Sequence, residues 1–172
     1  MAPGNWMPEL VDAAGGVNLF GETSVHSPWL EWSEVVAADP DIIVVMPCGF
    51  NLARASSEIL NLTERPEWLE LTAVRNGKVF VVDGHHYFNR PGPRLLDSLE
   101  ILCEIIHHER FSFGHRGRDG SIGRPLRSHP VVCLGRALIK NFELEIEFLA
   151  QPDCVLGMIE IVVVGNGVDE HH

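Results

Sequence analysis

The sequence predicts an α/β domain of three layers, with helices on both faces of a mostly parallel sheet. Two apolar runs and the helical segments between them carry that expectation. Ile42-Ile43-Val44-Val45-Met46 has no polar position, and Lys78-Val79-Phe80-Val81-Val82 has one, at its start. Runs of this kind suit strands buried on both faces, as parallel strands under helices are. Helical patterns precede, separate and follow them, and helix, strand, helix, strand, helix is the order of a layered α/β unit.

Each element has a local reason. Met7-Pro8-Glu9-Leu10-Val11-Asp12-Ala13-Ala14 reads as a short helix with proline near its start, ended by Gly15-Gly16. Residues 17–29 are rich in Gly, Ser and Pro and read as loop or edge strand. Ser33-Glu34-Val35-Val36-Ala37-Ala38 is a helix with Ser33 as its expected N-cap, broken by Asp39-Pro40-Asp41. After the first apolar run, helices are expected over 51–61 and 66–74, with Asn76-Gly77 turning into the second run. A longer helix spans 94–107. Leu95, Leu99, Leu102 and Ile106 repeat at helical spacing on one side, and Asp97, Glu100 and Glu104 mark the wet side.

The character changes beyond residue 113. Residues 114–130 are rich in Gly, Arg and Ser without periodicity and are expected to be a linker. In 131–172, Val131-Val132-Cys133-Leu134, the alternating Phe142-Glu143-Leu144-Glu145-Ile146-Glu147-Phe148 and residues 158–164 are strand candidates, so a β-rich extension is expected. The domain reading is therefore an α/β lobe over 1–113, a linker over 114–130 and an extension over 131–172. No internal repeat appears.

Composition excludes several classes. The net charge of −11 argues against nucleic acid, which demands a basic surface. The charge is uneven: 7 basic and 16 acidic side chains in 1–113, 6 and 1 in 114–140, none and 7 in 141–172. No apolar run approaches the roughly 20 residues that span a bilayer. Met1-Ala2-Pro3-Gly4-Asn5-Trp6 lacks the basic and apolar regions of a signal peptide, so the chain is expected to be cytoplasmic or cut from a longer precursor. Cys48, Cys103, Cys133 and Cys154 form no C-x-x-C pair, which argues against a zinc ribbon and a disulfide framework.

The stretch Asp83-Gly84-His85-His86-Tyr87-Phe88-Asn89-Arg90-Pro91-Gly92-Pro93-Arg94 follows the second strand and enters the long helix. Open α/β folds place ligands at the carboxyl ends of strands. Here the prolines stiffen a loop that carries aromatic and polar side chains. On local evidence alone the same loop also reads as a structural turn, with Tyr87 and Phe88 packed inward.

Three stretches, in order, carry a resemblance. They are Gly4-Asn5-Trp6-Met7-Pro8-Glu9-Leu10 leading to Ala14-Gly15-Gly16, Ala38-Asp39-Pro40-Asp41-Ile42-Ile43-Val44-Val45 leading to Pro47-Cys48-Gly49-Phe50, and Tyr87-Phe88-Asn89-Arg90-Pro91-Gly92-Pro93-Arg94 leading to Leu99-Glu100-Ile101-Leu102. Residues 4–113 thereby resemble the C-terminal lobe of the cobalamin-binding substrate-binding proteins of ABC importers. These belong to the helical-backbone group of periplasmic binding proteins, which also carries ferric siderophores and haem. The resemblance implies a ligand-binding lobe that performs no chemistry, has no catalytic residue, metal or catalytic cofactor, and passes cobalamin to a permease outside the cytoplasm. It also implies that the first of two lobes is missing and that 114–172 have no counterpart. His107-His108-Glu109 differs from the His-Pro-Glu of the pattern.

Carried over by position, the residues facing the ligand are Tyr87, Phe88, Asn89 and Arg90 after one strand and Pro47, Cys48, Gly49 and Phe50 after the other, with Trp6 near the lobe junction. A corrin is a large, flat, partly apolar ring fringed with amides. Aromatic faces and amide or backbone hydrogen bonds suit it. Glu22, Glu31 and Glu34 are the candidates for docking on the permease, and each also reads as a plain solvated acid.

Two sharper readings compete. Haem or a ferric siderophore is the alternative ligand, with His85 or His86 as the iron ligand, although neighbouring side chains at a strand end diverge. A cysteine-dependent hydrolase would use Cys48 with His85 or His86 as base, but no nucleophile-elbow motif is present. His107-His108 suits the end of a helix, where the dipole favours a cation. Trp29, Trp32 and Trp68 are expected in the core or on helix faces.

Overall fold

The computed structural model describes residues 1–116, 122, 123, 125 and 161–165. The elements are α1 (Met7–Ala13), β1 (Val17–Asn18), α2 (Trp32–Ala38), β2 (Ile42–Val45), α3 (Leu52–Glu58), α4 (Leu60–Thr63), α5 (Thr72–Arg75), β3 (Val79–Val81), α6 (Leu95–Ile106) and β4 (Ile161–Gly165). A 3₁₀ turn covers Trp68–Glu70, and a π-helical turn covers Gly84–Phe88.

The sheet has strand order β1-β4-β2-β3. Its parallel pair is β2 and β3, with Ile43 opposite Val79 and Val45 opposite Val81. β4 lies between β1 and β2 and runs antiparallel to both. The strand expected over 158–164 therefore pairs within the lobe's sheet, with Ile42 opposite Val164. Residues 131–160, including the candidates at 131–134 and 142–148, lie outside the described residues, as do most of 114–130.

Alternation along the strands builds two cores. Ile43, Val45, Val79 and Val81 point to one face, where they meet Val35, Ala55, Ile59, Leu62, Trp68 and Leu71 from the short helices and the 3₁₀ turn. Ile42, Val44, Phe80, Val82 and Val164 point to the other, against Met7 and Val11 of α1 and Ile101, Leu102 and Ile105 of α6. Both faces are covered, which is why β2 and β3 read as near-continuous apolar runs.

Several helix boundaries differ from the sequence reading. The N-cap of α2 is Glu31 rather than Ser33: the Glu31 N–H donates to Glu34 Oε2 at 2.8 Å within a reciprocal capping box. The helix expected over 51–61 is two, capped first by Asn51, whose side chain accepts from the Arg54 N–H at 3.0 Å. The helix expected over 66–74 is a 3₁₀ turn followed by α5, because Leu71 adopts extended backbone between them. Asp39 ends α2 at φ 39°, and its carboxylate accepts from the Thr72 N–H at 2.7 Å and the Thr72 hydroxyl at 2.8 Å. Trp29 is 73% exposed rather than in the core, because it lies on the loop before α2 and not on a helix face. Among the described residues, no helix is long and apolar enough to cross a membrane.

Candidate functional site

The loops after β2 and β3 meet at the carboxyl ends of the two parallel strands. Gly84 makes the approach possible: a Cβ there would lie 2.3 Å from the Pro47 carbonyl oxygen. The His85 N–H donates to the Phe50 carbonyl at 3.0 Å, and the Cys48 thiol donates to Asn89 Oδ1. Asp83 organises the π-helical turn. Its carboxylate accepts from the His86 N–H at 2.9 Å and faces His86 Nδ1 at 2.8 Å. Ser98 of α6 donates its hydroxyl to the Tyr87 carbonyl, tying the turn to the helix that follows.

A third segment completes the mouth. The Asn5 N–H donates to the Val25 carbonyl at 2.7 Å, and the Ser24 N–H donates back to the Asn5 carbonyl at 2.8 Å. The Ala2 N–H reaches the Pro28 carbonyl at 2.9 Å. Gly4 permits this contact, since a Cβ would sit 2.5 Å from the Ser27 nitrogen. The pairing brings Trp6 beside His26 and Ser27.

The resulting cavity is about 290 Å³ and is lined by Trp6, His26, Ser27, Cys48, Phe88 and Asn89, among others. Of the nine residues expected to face a ligand, it gathers Trp6, Cys48, Phe88 and Asn89. Phe88 is only 4% exposed and forms part of its floor, with its ring in the α1–α6 core. Pro47 is buried behind the mouth, and Gly49 lies exposed at its rim. Phe50 is 6% exposed and packs into the core of the opposite face, with the Arg54 guanidinium 3.7 Å over its ring. Tyr87 is half-buried, edge-on to His115 at 6.2 Å and near the Arg94 guanidinium at 5.8 Å. Arg90 is exposed.

The polar groups of this mouth suit an uncharged, amide-bearing ligand. Trp6 Nε1–H is buried and has no hydrogen-bond partner among the described residues. Leaving such a donor unmade costs about 1–3 kcal/mol. His26 and Ser27 are lining residues that sequence reasoning missed, because they arrive by backbone pairing and not by any motif. Trp29, two residues beyond Ser27, is exposed and is not among the residues that line the cavity. Cys103 is half-buried on α6, where burial raises its thiol above the ordinary range and Glu100 adds to the effect. Among the described residues, no three His, Cys, Asp or Glu side chains converge as a metal site. Glu22, Glu31 and Glu34 are all exposed, the last two joined in the α2 capping box.

An α/β lobe with covered faces and a concavity at its parallel strand ends holds its candidate site where open α/β folds bind ligands. Comparison with known sequences agrees: residues 1–85 match the family described as periplasmic binding protein. The vitamin B12-binding protein of Vibrio cholerae serotype O1 is 31% identical over 107 residues, covering 62% of this chain and 35% of that protein. The cobalamin-binding protein of Halobacterium salinarum is 25% identical over 108 residues, covering 62% of this chain and 28% of that protein. A vitamin B12-binding protein of Vibrio parahaemolyticus is 28% identical over 100 residues, covering 58% and 33%. The chain thus spans about a third of the length of the curated relatives it matches. No solved structure matches it.

Proposed function

We propose that this chain is one lobe of the substrate-binding component of an ABC importer, capturing cobalamin outside the cytoplasm and passing it to the permease. The observation that carries the reading is the mouth itself: an aromatic and amide-lined cavity with the buried, unpartnered Trp6 N–H at the strand ends. The names of the relatives supply the ligand class. A corrin's peripheral amides offer carbonyls to Trp6 and N–H groups to Asn89, and its ring edge offers apolar area to Phe88. A cavity of about 290 Å³ takes one edge of so large a ring, in keeping with a chain that matches about a third of each relative. Tyr87, on the π-helical turn, and Arg90, two residues beyond it, flank Phe88 and Asn89 in sequence and would meet the ligand beyond the rim. Pro47, Gly49 and Phe50 would serve by shaping the loop that carries Cys48.

The thiol geometry favours binding over hydrolysis. Cys48 donates to Asn89, an amide that takes up no proton. On the outer surface Glu22 is the freest of the three candidate docking acids, since Glu31 and Glu34 cap α2.

The test is an absorbance titration of the purified chain with cyanocobalamin, with haem and a ferric siderophore in parallel. Saturable binding of cobalamin alone is expected. Saturation by haem alone would move the assignment to the alternative ligand class and implicate His85 or His86.

A further inference from the structure

A second concavity lies at the other end of β3, away from the mouth. It is about 720 Å³, within the range of small-molecule sites. Arg75 from the last turn of α5, Lys78 from the start of β3, His108 beyond α6 and Arg116 line it, with Phe80 and Ile106 supplying apolar wall. No described lining residue is acidic. That is unusual for a chain of net charge −11.

The cations arrive from separate elements and are only partly neutralised. The Lys78 ammonium makes no ion pair among the described residues. Arg75 donates to Thr72 Oγ1 at 3.2 Å and lies near Asp39, whose carboxylate is already held by Thr72. Arg116 sits 5.1 Å over the Phe80 ring and donates one N–H to the Glu104 backbone carbonyl at 3.0 Å. Burial pulls the Arg116 guanidinium below its ordinary pKa, with Glu104 acting in the opposite sense. The Glu104 carboxylate is 2% exposed; its Oε1 accepts from the Gly114 N–H at 2.6 Å, its Oε2 has no hydrogen-bond partner among the described residues, and it offsets part of the Arg116 charge, which leaves Arg75 and Lys78 as the less compensated cations.

We infer that this groove binds an organic anion, a carboxylate, sulfonate or phosphate carried on an apolar body. The anionic group would sit among Arg75, Lys78 and Arg116, whose planar guanidinium forks suit such oxygens. The body would lie on the half-buried Ile106. An inorganic anion uses the cations but not the wall, so it binds more weakly than an anion with an apolar body.

The experiment is a fluorescence titration with 8-anilinonaphthalene-1-sulfonate, run on the parent chain and on Lys78→Glu, Arg116→Gln and Trp6→Phe variants, each checked for parent-like circular dichroism. Saturable binding is expected, at least 10-fold weaker in Lys78→Glu and unchanged in Trp6→Phe. Arg116→Gln should also weaken it, and should Arg116→Gln fail to fold, the partly exposed Lys78 keeps the test open. Affinity should fall as salt rises from about 0.05 to about 0.5 M, because screening acts on the charge component. Inorganic phosphate should compete poorly, and cyanocobalamin not at all. Unchanged binding in Lys78→Glu, displacement by cyanocobalamin, or no saturable phase would overturn the inference.

Discussion

The two ends of the β2–β3 pair hold two concavities of opposite character. At the carboxyl ends, the mouth is lined by indole, phenyl, imidazole, thiol, amide and hydroxyl groups, and its one acidic organiser, Asp83, turns its carboxylate to its own loop. At the other end, three permanent cations line a wider groove with no acid among the described lining residues. The mouth is held by backbone: Gly84 against Pro47, His85 on Phe50 and the pairing of Asn5 with residues 24 and 25. The groove is shaped largely by long side chains. Shape and hydrogen bonding should therefore dominate recognition at the first, and charge at the second.

This difference is open to test by substitution. The largest effect is expected at the floor of the mouth. Phe88→Ala should destabilise the fold by about 3–5 kcal/mol, as large-to-small changes of buried aromatics do, read as a lower midpoint in urea denaturation. Gly84→Val should cost about 2–4 kcal/mol, because its side chain would enter the space of the Pro47 carbonyl. By contrast, Lys78→Ala in the groove should change stability by no more than about 0.5 kcal/mol. A groove substitution as damaging as Phe88→Ala would erase the distinction between a built mouth and a side-chain-lined groove.

Next is the specific chemistry of the mouth. Trp6→Phe keeps an aromatic ring and removes the buried N–H. It should weaken cobalamin binding about 3–10-fold, the worth of one hydrogen bond, while leaving stability equal or slightly higher. An unchanged affinity would show that the orphan donor faces no ligand group.

Smallest is the pH response of the end of α2. Asp39 is held below the ordinary aspartate range, first by the Thr72 backbone N–H, then by the Thr72 hydroxyl, with Arg75 adding a little. Since the folded-state pKa is the lower one, the contribution is fully present above the unfolded aspartate pKa and fades as pH falls through the folded value. Asp39 is almost fully exposed, so its share is under about 1 kcal/mol. Asp39→Asn should flatten the acid limb of a thermal-stability profile slightly, by lowering stability at neutral pH by under about 1 kcal/mol while leaving the acid end nearly unchanged. A large shift at neutral pH would contradict this assignment.

Much of the fold was legible in the sequence because burial on both faces writes itself as an apolar run. Ile42–Val45 and Val79–Val81 are where the pattern puts them, but the buried face of α6 is Ser98, Ile101, Leu102 and Ile105 rather than the stripe through Leu95, Leu99 and Ile106, and Glu104, expected on the wet side, is 2% exposed because the Gly114 N–H donates to its carboxylate. What local pattern does not encode is pairing across distance. Residues 158–164 read as a strand, but nothing in them tells that β4 lies between β1 and β2. The site divides the same way. Cys48, Phe88 and Asn89 follow from the rule that ligands sit at strand ends. His26 and Ser27 do not, since only the pairing with Asn5 brings them to Trp6. Phe50 and Phe88 look alike as strand-end aromatics, yet they bury into opposite cores, because one belongs to a loop turned toward α3 and the other to a turn held by α6. The cationic groove was hidden because its members are spread from residue 75 to residue 116.

The most direct test of the central claim is a calorimetric titration of cyanocobalamin into the parent chain, Trp6→Phe and Lys78→Glu. Binding to a mouth at the strand ends predicts saturation by the parent, a weaker phase in Trp6→Phe and an unaltered one in Lys78→Glu. A folded parent that never saturates, or a loss confined to Lys78→Glu, would contradict it.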